Sequence, residues 1–151
     1  MELLDHCPDC GARVHGGRQG CQHLWDTVAF SAVVVLPGPA FDAYCMQHLE
    51  RYCRSAKSYA AHLTRLCVGI EQGGEARVFR ALQRWLDGRV DLPKPPILAD
   101  LGTLTIADVR DAGPPELQAR RAHDWVMSVW EAYGSQHAQA REWIRQALAV
   151  R

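Results

Sequence analysis

Ser55-Ala56-Lys57-Ser58-Tyr59-Ala60-Ala61-His62-Leu63-Thr64-Arg65-Leu66-Cys67-Val68-Gly69-Ile70-Glu71-Gln72 is the stretch that decides the fold. Tyr59, His62/Leu63, Leu66 and Gly69/Ile70 recur every three or four residues, which lines them along one face of a helix. Gly73-Gly74 then supplies the left-handed turn that ends such a helix. The same period continues on both sides. Residues 41–52 align Phe41, Tyr44/Cys45, His48/Leu49 and Tyr52, and residues 75–86 align Val78/Phe79, Leu82 and Trp85/Leu86. Residues 22–36 carry Leu24, Val28, Ser31/Ala32 and Val35 at helical spacing, although Val33-Val34-Val35 suits a strand equally well. Pro37-Gly38-Pro39 breaks that element. Residues 92–104 read as a Pro-rich loop, closed by Thr105-Ile106-Ala107-Asp108, a capping-box start for a short helix. Pro114-Pro115-Glu116 opens a long helix to Tyr133. Gly134 stops it, and Ser135 can cap a last helix to Val150. The expected architecture is mainly α: one domain over residues 1–151, with a helical bundle (22–151) and an N-terminal cysteine-rich zinc-binding loop (1–21) as its head.

With 151 residues the chain is long enough to bury a core without disulfides. Lys and Arg number 17 and Asp and Glu number 17, a net charge of +0. That balance argues against a nucleic-acid binder and against electrostatic docking on membranes. The start Met1-Glu2-Leu3-Leu4-Asp5-His6-Cys7 has neither a basic nor an apolar leader region, so it does not read as a secretory signal. The most apolar run, residues 29–36, is far shorter than the ~20 residues that span a bilayer. A reducing, cytoplasmic compartment is therefore expected, where cysteines serve as metal ligands or buried thiols.

Cys7-Pro8-Asp9-Cys10-Gly11 is the strongest local signal. Two thiolates three positions apart reach one tetrahedral zinc if the chain turns tightly, and Pro8 and Gly11 suit that turn. Cys21 offers a third thiolate after a glycine-rich spacer, and a helix starting near Gln22 would lower its pKa. Three candidates compete for the fourth position: His48, His23 and a water. His23 could share a metal with Cys21 only in extended chain, because residues two apart diverge on a helix. The alternatives to zinc are a free dithiol or a redox-active pair; the latter normally sits in a βαβ context that is absent here.

His48, His62 and His137 each fall on the apolar stripe of their own helix. Three inward histidines could converge in one bundle, with Asp42 or Gln47 supplying an oxygen ligand or an acceptor that fixes a tautomer. The competing reading is three separate core histidines, each bonded to a tyrosine or a carbonyl. Cys45, Cys53 and Cys67, mid-helix, read as buried small hydrophobes. Trp125, Trp130 and Trp143 read as core.

Cys7-Pro8-x-Cys10-Gly11, Cys21, Asp42-Ala43-Tyr44-x-x-Gln47-His48, His62-Leu63-x-x-Leu66-Cys67, Leu104-Thr105-x-Ala107-Asp108-Val109 and Val129-Trp130-x-Ala132-Tyr133-x-x-x-His137 together resemble a family of uncharacterised bacterial proteins, over nearly the whole chain. The resemblance implies no activity. It implies that Cys7, Cys10, Cys21, Asp42, Gln47, His48, His62 and His137 form one functional set, and it tilts the fourth ligand toward His48. That family continues Gln-His-Pro; Leu49 stands here, so the helix through His48 is expected to run on. A fainter likeness is to DinB-like four-helix metalloproteins, which carry three metal-binding histidines, two of them four apart; here Arg141 follows His137 at that spacing. The functional readings are a zinc-binding helical protein, a metal-dependent enzyme with an open Cys/His site for hydrolysis or thiol transfer, and a regulatory or partner-binding module with structural zinc.

Overall fold

The computed structural model describes residues 5–150; residues 1–4, the first part of the segment that does not read as a secretory signal, and residue 151 lie outside it. Eight α-helices and no strand form among the described residues: α1 (Gly17–Ala29), α2 (Ala40–Met46), α3 (Leu49–Tyr52), α4 (Ala56–Glu71), α5 (Ala76–Asp87), α6 (Ile106–Arg110), α7 (Pro115–Ala132) and α8 (His137–Ala149). Among the described residues no helix is long and apolar enough to cross a membrane.

The stretch quoted first is α4. Ser55 and Ser58 cap it reciprocally, with Ser55 Oγ accepting the Ser58 N–H at 3.0 Å and Ser58 Oγ the Ser55 N–H at 3.1 Å. Gly73 and Gly74 take φ of 65° and 69°, and the Gly74 N–H returns to the Val68 carbonyl to close the last turn. Thr105 and Asp108 form the expected box on α6, and Pro115 occupies the first turn of α7.

Three elements depart from the sequence expectation. α1 begins five residues before Gln22, so Cys21 stands inside a helix rather than in the head loop; Gly16 and Gly17, at φ 95° and 63°, turn the chain into it early. The helix also ends at Ala29, because Ser31 Oγ accepts the N–H groups of Val33 and Val34, both at 3.2 Å, and so removes them from a helical ladder. The helix through Phe41 does not run on past Leu49. It breaks at Gln47–His48, where His48 has φ −131° and ψ 57°, and the four-residue α3 follows. Finally Ser135 caps nothing; residues Gly134–Gln136 make a 3-10 turn that feeds α8 directly.

α2 packs against both α4 and α7, α4 and α5 against α8, and α6 against α7 and α1. Tyr44, Tyr59, Leu63, Leu66, Trp125, Tyr133 and Ile144 fill the interior. Gln47, also fully buried, is a polar clip within it. Its amide nitrogen donates to the carbonyls of Leu101 and Leu104 (3.1 and 2.8 Å), and its oxygen accepts the Trp125 indole N–H at 2.9 Å. Every hydrogen-bonding capacity that matters there is met, as burial demands.

Candidate metal centre

The CPxCG segment folds as a tight turn. The Gly11 N–H donates to the Cys7 carbonyl and the Cys7 N–H to the Ala12 carbonyl, each at 2.8 Å. Gly11, at φ 81°, lets the chain double back, and the Ala12 N–H then reaches Cys10 Sγ at 3.4 Å. Asp9, between the two cysteines, holds the Arg18 guanidinium through both oxygens (2.9 and 3.1 Å), which ties the turn to the first turn of α1. Cys21 comes from that same helix. Gly20 beside it has no room for a side chain, since a Cβ there would lie 1.9 Å from the His15 carbonyl oxygen.

The break after α2 delivers the fourth group. His48 Nε2 lies 3.4 Å from Cys21 Sγ and 3.8 Å from Cys7 Sγ, and Cys10 Sγ lies 3.8 Å from Cys21 Sγ. Ligand atoms of Cys7, Cys10, Cys21 and His48 all lie within 4.8 Å of one another, a cluster that could hold a metal ion. Cys7, Cys21 and His48 are buried, and Cys10 is half-buried. The Nδ1–H of His48 donates to the Tyr44 carbonyl at 2.6 Å, which fixes the tautomer and leaves Nε2 facing the sulfurs.

The four groups of this set shift one another's protonation strongly. Hydrogen bonds from Cys10 and then Cys21 hold the Cys7 thiol far below its ordinary range. Cys10 is pushed far above it by Cys21 and Cys7, since neighbouring buried sulfurs do not all ionise unaided. Burial pulls the His48 imidazole down, but hydrogen bonding to Cys21 and Cys7 more than offsets this and pushes it up to about 9. Cys45 is raised out of the thiolate range by burial first; burial likewise raises Cys53 and Cys67, both to about 12. All three are buried and lie outside the cluster.

The remaining candidates go elsewhere. His23 is exposed on α1 and is not part of the cluster, its two-residue spacing from Cys21 on a helix separating the two side chains. His62 Nδ1 bonds Asp42 Oδ1 at 2.9 Å, with Arg65 Nε 3.5 Å from the same oxygen. His137 stacks on Trp130 with 3.7 Å between ring centroids and bonds that residue's carbonyl through Nε2 at 2.7 Å. Gln47 serves the interior clip. Of the proposed set, Asp42 and His62 therefore meet, while His48, His62 and His137 each find a different partner. The physical reason is that each imidazole had a nearer acceptor than a shared space. Tyr44 is the residue the sequence reading passed over. Its hydroxyl lies 3.4 Å from Cys21 Sγ, and its ring stacks on His48. The Tyr44-x-x-x-His48 spacing, one helical turn, was the available signal.

Tyr44 and His48 also form the floor of a cleft of about 780 Å³. Arg18, His23 and Asp26 from α1 line it together with Glu50 and Arg51 from α3 and Arg54 just beyond that helix.

Fold and site together define a helical protein with a Cys3His cluster able to hold a metal, built where a cysteine turn meets α1 and the end of α2. Residues 5–134 match the Family of unknown function (DUF5946), and the chain belongs to that family. The chain matches no curated protein and no solved structure.

Proposed function

We propose that the chain is a zinc protein in which one ion, held by Cys7, Cys10, Cys21 and His48, fastens the N-terminal turn to the helical bundle. The separation of the donors carries this reading. A tetrahedral zinc bound at about 2.3 Å by sulfur and about 2.0–2.1 Å by nitrogen has sulfur–sulfur edges of about 3.8 Å and sulfur–nitrogen edges of about 3.6 Å. The observed 3.8 Å between sulfurs and 3.4 and 3.8 Å to nitrogen bracket those edges. A planar square with 3.8 Å edges would need diagonals of about 5.4 Å, beyond the 4.8 Å within which all four atoms lie. Three thiolates and an imidazole are soft donors that favour zinc over magnesium or calcium. Four protein ligands close the coordination sphere, the signature of a structural site. Free cysteines throughout the chain fit a reducing, cytoplasmic setting.

Elemental analysis of the purified protein tests the reading: about one zinc per chain is expected, and none in Cys7→Ser or Cys10→Ser protein. Structural zinc supplies apparent binding energies of about 10–16 kcal/mol, as large as the total stability of a domain. Both variants should therefore lose cooperative thermal unfolding. Metal-free wild-type protein made with zinc available, or variants that melt like wild type, would defeat it.

The cleft supports a second reading, that the zinc-fastened head presents a polar ligand site whose floor includes a metal ligand. Arg51→Ala and Arg54→Ala separate the two: they should leave zinc content unchanged, and only the second reading has them abolish binding of a cleft ligand.

A further inference from the structure

We infer that Tyr44 is the positioning residue of the centre, setting the geometry and electron density of Cys21 and His48; this rests on the metal-binding reading above. Tyr44 reaches two of the four ligands in three ways. Its carbonyl accepts the His48 Nδ1–H at 2.6 Å. Its ring lies against the imidazole, with centroids 3.9 Å and planes 23° apart. Its hydroxyl lies 3.4 Å from Cys21 Sγ, and toward a metal-bound thiolate, which has no proton to give, the hydroxyl is the donor. Trp25 stacks on the ring at 4.8 Å and 21°, so the phenol is clamped between two aromatic planes.

The side chain is 1% exposed, and a buried phenol keeps its hydroxyl paired. Among the described residues the Cys21 sulfur is its partner. The other tyrosine hydroxyls are engaged away from the cluster: Tyr52 donates to Gln22, Tyr59 to Gln136 and Tyr133 to the Met46 carbonyl. A hydrogen bond into a thiolate lowers the electron density on the sulfur, but it also stabilises the thiolate against its proton and fixes its direction, and these two effects favour metal binding. Groups in this position typically change metal affinity 10–100-fold when removed.

Tyr44→Phe keeps the ring and removes only the hydroxyl. With cobalt(II) loaded in place of zinc, the sulfur-to-cobalt charge-transfer band reports the density on the sulfurs. Y44F should shift that band to lower energy and weaken cobalt and zinc binding on the order of tenfold in competition with a chromophoric chelator, with far-UV circular dichroism unchanged. Should Y44F fail to fold, 3-fluorotyrosine incorporated into the otherwise unaltered chain makes the phenol a stronger donor and should shift the band to higher energy. A band and affinity unchanged from wild type overturn the inference and leave the metal reading intact. Wild-type protein that takes up neither cobalt nor zinc overturns that reading, and the inference with it.

Discussion

Gln47 and His48 are adjacent, both buried, and do opposite things. Gln47 turns into the bundle and satisfies Trp125, Leu101 and Leu104; His48 turns out of it toward the sulfurs. A Gln47→Ala substitution leaves the buried Trp125 indole N–H and the part-buried Leu101 and Leu104 carbonyls without their partner, and each unsatisfied buried group costs about 1–3 kcal/mol. Allowing for relaxation, a loss of about 3 kcal/mol in urea unfolding is expected, with zinc content unchanged. Loss of zinc alongside would show that the clip also sets the centre. The cysteines of the site were legible because spacing alone, Cys7-x-x-Cys10 with Cys21 behind it, carries metal chemistry. His62 and His137 were not separable from His48 by the same logic. Periodicity tells which face a residue occupies, not which acceptor it meets, and Asp42 and the Trp130 carbonyl are met only in three dimensions.

Helices α4 to α8 stood in the sequence nearly as they stand in the fold, because each is long enough for its period to show or is bracketed by caps. The errors collect around the centre. The start of α1 is set by glycines at positive φ, and the end of α2 by a break at Gln47–His48 that no proline announces. Gly20 gives this scale a sharp test, since propensity and packing disagree in sign. Alanine inside a helix normally gains about 1 kcal/mol over glycine. Here the added Cβ would meet the His15 carbonyl oxygen at 1.9 Å, and Cys21 is the next residue. Gly20→Ala should lower the melting temperature and weaken zinc binding, while Gly38→Ala, whose Cβ meets nothing within 4 Å, should do neither. A stabilised Gly20→Ala protein would mean that α1 and the cysteine turn are not locked together.

At the scale of the whole molecule the weak point is expected in the head. Two kinds of charge respond to acid. Glu71 is held below its ordinary value first by hydrogen bonds from Arg141. A depressed carboxylate contributes stability above its unfolded pKa and loses it only as pH falls through the lowered folded value. Thiolates and an imidazole, by contrast, give up a metal to protons at higher pH. Acid unfolding should therefore begin at the centre: added zinc should move its midpoint to lower pH, and Arg141→Ala should leave it in place. A midpoint set by Arg141 and indifferent to zinc would reverse that ranking. All of this depends on one ion in one coordination sphere, and X-ray absorption at the zinc edge of the purified protein examines it most directly. Three sulfurs at about 2.3 Å and one nitrogen at about 2.0–2.1 Å, four-coordinate, are expected, with the nitrogen lost in His48→Ala. A sphere of lighter donors only, or a nitrogen shell that survives His48→Ala, would contradict that expectation.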